Sequence, residues 1–122
     1  MRNQPQYKLL NNTRYALNGL VDIYKNETSF RLEIYIILIL SILLWFLEIS
    51  FVSKSILQIS IFLPLLVEAI NSSIERVVDL VTKDYHELAK TAKDAGSAAV
   101  FISIVITTLI WLSVFINEFN LL

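Results

Sequence analysis

The sequence contains no cysteine, one histidine, two glycines and two prolines in 122 residues. Without cysteine there are no disulfides and no thiolate metal sites, and the sequence offers no clue to redox compartment. One imidazole, His86, excludes zinc sites built on several histidines. It would also have to serve any Ser-His-acid triad, and no nucleophile elbow accompanies it. The GxxxxGK[ST] phosphate loop is missing, as are the Gly-rich loop, HRD and DFG elements of protein kinases. The Lys and Arg residues form no basic patch interleaved with aromatics, so nucleic acid is not an expected partner. Repeats and low-complexity tracts are absent, and no apolar run follows the first charges as a cleaved signal peptide would require.

What the chain does have is apolar length, with 56% of its residues hydrophobic. Ile34 to Leu47 (IYIILILSILLWFL) covers roughly 21 Å as a helix, short of the ~30 Å hydrocarbon core. Extension from Phe30 to Val52 makes a span, with Arg31 and Glu48 reaching outward at its ends. A second segment starts at Ser55 as a purely apolar run, then acquires polar residues every three or four positions. Pro64 inside it should bend the helix, which neighbouring helices can accommodate. Ala98 to Ile116 carries no charge and reaches about 28 Å. Before the first span, residues 6–25 place Leu9, Leu10, Tyr15, Leu17, Leu20, Val21 and Tyr24 on a broad apolar side, despite Asn11, Asn12 and Gly19. This pattern reads as an interfacial helix or a simple membrane-surface anchor.

The expected fold is therefore a single all-α membrane domain over 1–122. An N-terminal amphipathic surface helix (about 6–25) precedes three transmembrane helices at about 30–52, 55–81 and 92–118. Arg2, Lys8, Arg14, Lys25 and Arg31 come before or at the start of the first span. Arg76, Lys83, Lys90 and Lys93 flank the second loop, and Lys54 alone sits in the first hairpin. The positive-inside rule then makes the N-terminus and second loop cytosolic and the C-terminus external.

The chemistry is concentrated in VEAINSSIERVVDL. At 100° per residue Glu68, Asn71, Glu75 and Asp79 fall within about 80° of one another. An acid at the bilayer centre costs about 2.5–3.5 kcal/mol on insertion scales, so the stripe calls for a function. Glu75 and Asp79 could be solvated at the headgroups. Glu68 follows directly on an apolar run and is a candidate general base or acid. In TKDYHELAKTAKDAGSAAV, Glu87, Lys90 and Asp94 share a face with Lys93 beside them. The arrangement suits a polyanion held through a divalent metal, or else a solvated charged loop. Ala92, Gly96 and Val100 form a small-residue face suited to close helix packing, and Ser97 adds a hydroxyl. Glu27 is an acid just ahead of the first span.

These residues resemble the prokaryotic integral-membrane diacylglycerol kinase family from about Tyr15 to the third span. The blocks NETSFRLE, VEAINSSIERVVD and YHELAKTAKDAGSAAV carry the resemblance, in order and at the right spacing. It implies a homotrimer in a bacterial inner membrane, with the N-terminus cytosolic, the C-terminus periplasmic and active sites where subunits meet. It further implies an ATP- and Mg²⁺-dependent transfer of phosphate to diacylglycerol, giving phosphatidic acid. Glu68 would be the base. Glu27 and Glu75 would hold Mg²⁺ with ATP, and Lys93 and Asp94 would contact the nucleotide. Tyr15, Asp84, Tyr85 and His86 would lie nearby, with Asn71 and Asp79 in support. Ser97, Trp111, Phe30 and Trp45 would line the lipid site.

Two positions depart from the family. Lys8 stands where Arg is frequent, which removes a bidentate phosphate contact and makes Arg14 a possible substitute. Asp84 is one methylene shorter than the Glu often found there. A branch of the family acts on undecaprenol instead of diacylglycerol, although FRLE and KDAGSAAV look more like the diacylglycerol branch. A non-enzymatic alternative, an ion conduit or accessory subunit, would explain Glu68 and Glu75 but not the Lys90, Lys93, Asp94 cluster or Glu27.

Overall fold

The apolar runs dictate helices, because a backbone inside hydrocarbon must satisfy its own hydrogen bonds. The computed structural model describes residues 8–122. Its helices are α1 (Leu9–Asn26), α2 (Thr28–Phe46), α3 (Phe51–Ser60), α4 (Phe62–Val81) and α5 (Glu87–Glu118). Three stretches among the described residues are long and apolar enough to cross a membrane: Thr28–Phe46, Phe51–Val81 and Glu87–Glu118. Two residues of the expected 6–25 helix, and Arg2, lie outside the described residues.

A single extended residue, Glu27 (φ −113°, ψ 112°), separates α1 from α2 and serves as cap to both. Its N–H closes α1 on the Ile23 carbonyl at 2.8 Å. Arg31 reaches back from the first turn of α2 and donates to the carbonyls of Tyr24 (3.0 Å) and Lys25 (2.7 Å). Cationic donors on the last carbonyls of a helix stabilise its C-terminus. The Tyr24 and Tyr35 hydroxyls, 2.9 Å apart, add a second tie between these helices.

Helix α2 stops at Phe46, short of the expected Val52. The reason is Ser50, which starts a new helix by accepting from the Ser53 N–H at 3.1 Å. Phe51 and Val52 therefore belong to the second span. That span is one continuous segment with a joint at Ile61, whose φ of −69° and ψ of −14° keep it near helical. Pro64 has no N–H, so the carbonyl four residues earlier, that of Ser60, loses its helical donor. The Thr107 hydroxyl of α5 approaches it at 3.2 Å, sharing its one proton with the Ser103 carbonyl of its own helix at 2.9 Å. The Ser60 hydroxyl bonds its own helix at the Leu57 carbonyl (2.8 Å) and accepts from Trp111 Nε1 at 3.0 Å. The proline joint is thus bound to the third span at two points.

Helix α5 starts at Glu87, a turn earlier than expected, because His86 Nδ1 accepts from the Leu88 N–H at 3.1 Å and forms an N-cap. At about 1.5 Å per residue, α5 exceeds the hydrocarbon thickness and carries its charged first turns beyond it. Helices α4 and α5 form the most extensive packing pair. On α2 the buried side chains Phe30, Ile37 and Leu44 recur every seven residues as one seam. Most other large apolar side chains are exposed in the isolated chain, the pattern of a surface meant for lipid or further protein.

Candidate functional site

Buried polar groups mark where this molecule departs from a plain helical bundle. Glu68, Asn71 and Ser72 are all buried on α4. Glu68 is 8% exposed, and Ser29 of α2 donates to its Oε1 at 2.5 Å. Glu33, one turn further along α2 from Ser29, is a second carboxyl group in the neighbourhood of Glu68. One Glu33 oxygen is buried without a hydrogen-bond partner. Glu33 also stands at the edge of a cleft of about 230 Å³ between α2, α4 and α5, lined by Ile37, Leu40, Pro64, Leu65, Ile104 and Thr108. Glu33 thus brings a carboxyl group to an apolar slot, whose Leu65 stands one turn from Glu68 on α4.

One turn along α4, Asn71 is 6% exposed and donates weakly to Glu75 Oε1 at 3.4 Å. Its Oδ1 is buried and unpartnered, directed at the backbone of Gly96 on α5. Beyond it the α4–α5 hairpin joins acids to lysines. Lys93 donates to Asp79 at 2.6 Å and also lies in the field of Glu75. Lys90 pairs with Asp94 at 2.5 Å. A cleft of about 370 Å³ opens here, bordered by Asp79, Asp84, Tyr85, His86, Lys93 and Asp94. Tyr85 is exposed beside it. The Asp84 N–H is fixed by the Thr82 hydroxyl at 3.2 Å, which shapes the turn.

On the other flank of α4, Arg76 forms an ion pair with Asp22 of α1 and reaches Glu27 Oε1 at 3.4 Å. Glu27 therefore meets a cation rather than another acid. Among the described residues no three acidic or imidazole side chains converge. Tyr15 and Lys8 are exposed on or before α1, and Lys8 is its backbone N-cap, with no side-chain cap bond.

The residues expected around the lipid divide. Phe30 is only 1% exposed and belongs to the α2 packing seam. Ser97 is exposed near the charged end of α5. Trp111 is bound to Ser60 at the proline joint. Trp45 sits at the opposite end of α2 from Ser29, about 24 Å away along the axis. There it donates to Gln58 at 3.0 Å and packs on Phe51. The structure does not bring Trp45 to Glu68.

Ser29, Glu33, Arg76 and Gly96 were not singled out as site residues from sequence. Glu33 had a usable signal, since it is an acid on the flank of an apolar run, the argument applied to Glu68. Ser29 lies four residues before it, on the same helical face.

The model of one protein family, prokaryotic diacylglycerol kinase, matches residues 14–115. The diacylglycerol kinase of Haemophilus influenzae is 41% identical over 103 residues, covering 84% of this chain and 87% of its own. That of Escherichia coli K12 is 38% identical over 97 residues, 80% of each chain. The diacylglycerol kinase of Pseudomonas aeruginosa is 33% identical over 110 residues, 90% of this chain and 89% of its own.

Proposed function

Because the chain is an enzyme of the prokaryotic diacylglycerol kinase family, we propose that it transfers the γ-phosphate of ATP to diacylglycerol at the cytosolic face of a bacterial inner membrane. The observation that carries the assignment to this part of the fold is the buried Glu68, held against α2 and set on α4 between Leu65 of the apolar cleft and Asp79 of the lysine-bearing one. An aliphatic chain suits the cleft, and a polyphosphate suits Lys93. Glu68 lies on the helix joining the two.

In this reading Glu68 takes the proton of the lipid hydroxyl as its oxygen attacks the γ-phosphorus. The bond from that phosphorus to the bridging oxygen breaks, and the electron pair leaves with ADP. Phosphoryl transfer needs in-line placement and charge compensation more than covalent chemistry from the protein. Lys93 meets the phosphates, giving up Asp79 as it does so. Asp94, Asp84, Tyr85 and His86 border the nucleotide, with Tyr15 and the α1 cations Lys8 and Arg14 approaching from the surface helix. Ser97 and Trp111 lie along the lipid's side.

Mg²⁺ would be held by Glu27 and Glu75, and when bound it neutralises phosphate charge. The donor set suits the ion, which commonly takes one or two carboxylates and completes its shell with phosphates and water. Arg76 must release Glu27 for this to happen. Helix α1 lies on the cytosolic leaflet, the N-terminus is cytosolic and the C-terminus periplasmic, as the lysine and arginine distribution favours. The exposed apolar faces support a homotrimer that covers them. Membership in an enzyme family leaves the conduit alternative without a supporting observation.

The test is transfer of labelled phosphate from ATP by purified protein in mixed micelles, with diacylglycerol and undecaprenol offered together and Glu68→Gln as control. Labelled phosphatidic acid from the wild type alone supports the reading. Labelled undecaprenyl phosphate keeps the mechanism and changes the lipid. No transfer to either by folded protein overturns it.

A further inference from the structure

Hydroxyl side chains on these helices mostly bond back to their own backbone. Thr13, Ser55, Ser73, Thr108 and Ser113 each donate to the carbonyl four residues before. Ser29 does not. It is the second residue of α2, and the residue four before it, Lys25, lies in α1 across the extended Glu27, so the regular i−4 geometry is broken there. The Ser29 proton is directed instead across the helix interface to Glu68 Oε1, at 2.5 Å.

Among the described residues this is the hydrogen bond made by the Glu68 carboxylate. Asn71, the next polar side chain on the stripe, turns to Glu75. A glutamate has three side-chain torsions, and a base whose oxygen wanders by an ångström can forfeit about a hundredfold in rate. One oxygen tied to Ser29 leaves the other free to receive a proton in a fixed direction.

We infer that Ser29 is a positioning residue of this enzyme, fixing Glu68 Oε1 so that Oε2 faces the lipid hydroxyl. The inference rests on Glu68 being the base.

The experiment compares Ser29→Ala, Ser29→Thr, Glu68→Gln and the Ser29→Ala/Glu68→Gln double variant with wild type. It measures kcat, the KM for ATP and for diacylglycerol in mixed micelles, and thermal unfolding. Ser29→Ala should lower kcat about tenfold, with both KM values within about twofold and the unfolding temperature unchanged. Ser29→Thr, which keeps the hydroxyl at an exposed position, should recover most of the loss. The double variant should be no slower than Glu68→Gln alone. Full kcat in Ser29→Ala overturns the inference while leaving the base intact. A loss that follows the unfolding temperature and is not recovered by Thr also overturns it. Wild-type rates in Glu68→Gln would overturn the base assignment itself, a result separable from either of the others.

Discussion

Gly96 and Asn71 compete for the same space: a Cβ added to Gly96 would stand 2.2 Å from Asn71 Oδ1 and 3.3 Å from its Cγ. Helix α5 approaches α4 this closely only because position 96 has no side chain, and the approach places the Asn71 amide against the backbone of α5. Small residues serve membrane helices in this way generally. Here the contact also governs a polar side chain two positions from the centre of the acidic stripe.

Gly96→Ala should therefore displace Asn71 and cost about 1–3 kcal/mol in stability by overpacking. Combining it with Asn71→Ala removes the clashing atoms, so the unfolding temperature should recover while kinase activity does not. Unfolding in micelles alongside phosphate transfer separates the two effects.

The proline joint makes a coupled prediction. Thr107→Val removes the hydroxyl donor to the Ser60 carbonyl and should destabilise by roughly 0.6–1.7 kcal/mol, the range for hydrogen bonds between membrane helices. In a Pro64→Ala background the carbonyl regains an N–H from its own helix. The same Thr107→Val change should then cost clearly less, and a double-mutant cycle on unfolding temperature reads the difference.

Lys93 is paired with Asp79 and exposed to solvent. Lys93→Met should reduce kcat/KM for ATP by about a hundredfold and leave the KM for diacylglycerol within about twofold. Asp79→Asn, which frees the lysine without removing it, should have a much smaller effect on the ATP side. Initial-rate kinetics with each substrate varied in turn decide between them.

Trp45→Phe keeps the ring contact with Phe51 and loses the hydrogen bond to Gln58. Because it sits at the far end of α2 from Glu68, kcat and both KM values should stay within about twofold, with a small fall in unfolding temperature. A large drop in kcat would place the lipid site across the full depth of the helix.

How much of this was legible in sequence depends on the range of the signal. The uncharged run Ala98–Ile116 identified the third span, and Glu68 stood out because an acid follows immediately on an apolar stretch. Glu33 carries a comparable signal, an acid directly beside an apolar run, but its burial depends on how α2 packs against α4. The family resemblance groups Trp45 with the lipid-site residues, and the structure puts it at the far end of α2 from Glu68, beside Gln58. Ser29 was invisible as chemistry, since a serine in the first turn of a helix usually serves its own backbone. Arg76 read as one of the cations setting orientation, and its hold on Asp22 and Glu27 depends on a helix more than 40 residues earlier.

By itself the sequence determined the three spans, the proline joint and the carboxylate stripe of α4. Hydropathy over a span and a 100° turn per residue are local quantities, set by each segment alone. Only the tertiary structure decided that Lys93 goes to Asp79, that Arg76 goes to Asp22 and Glu27, and that Ser29 reaches Glu68. Those pairings depend on how each helix is rotated about its axis and how far it slides along its neighbour. Packing at Gly96 and at the Ser60–Thr107 contact settles that geometry, because those sites tolerate a single close fit.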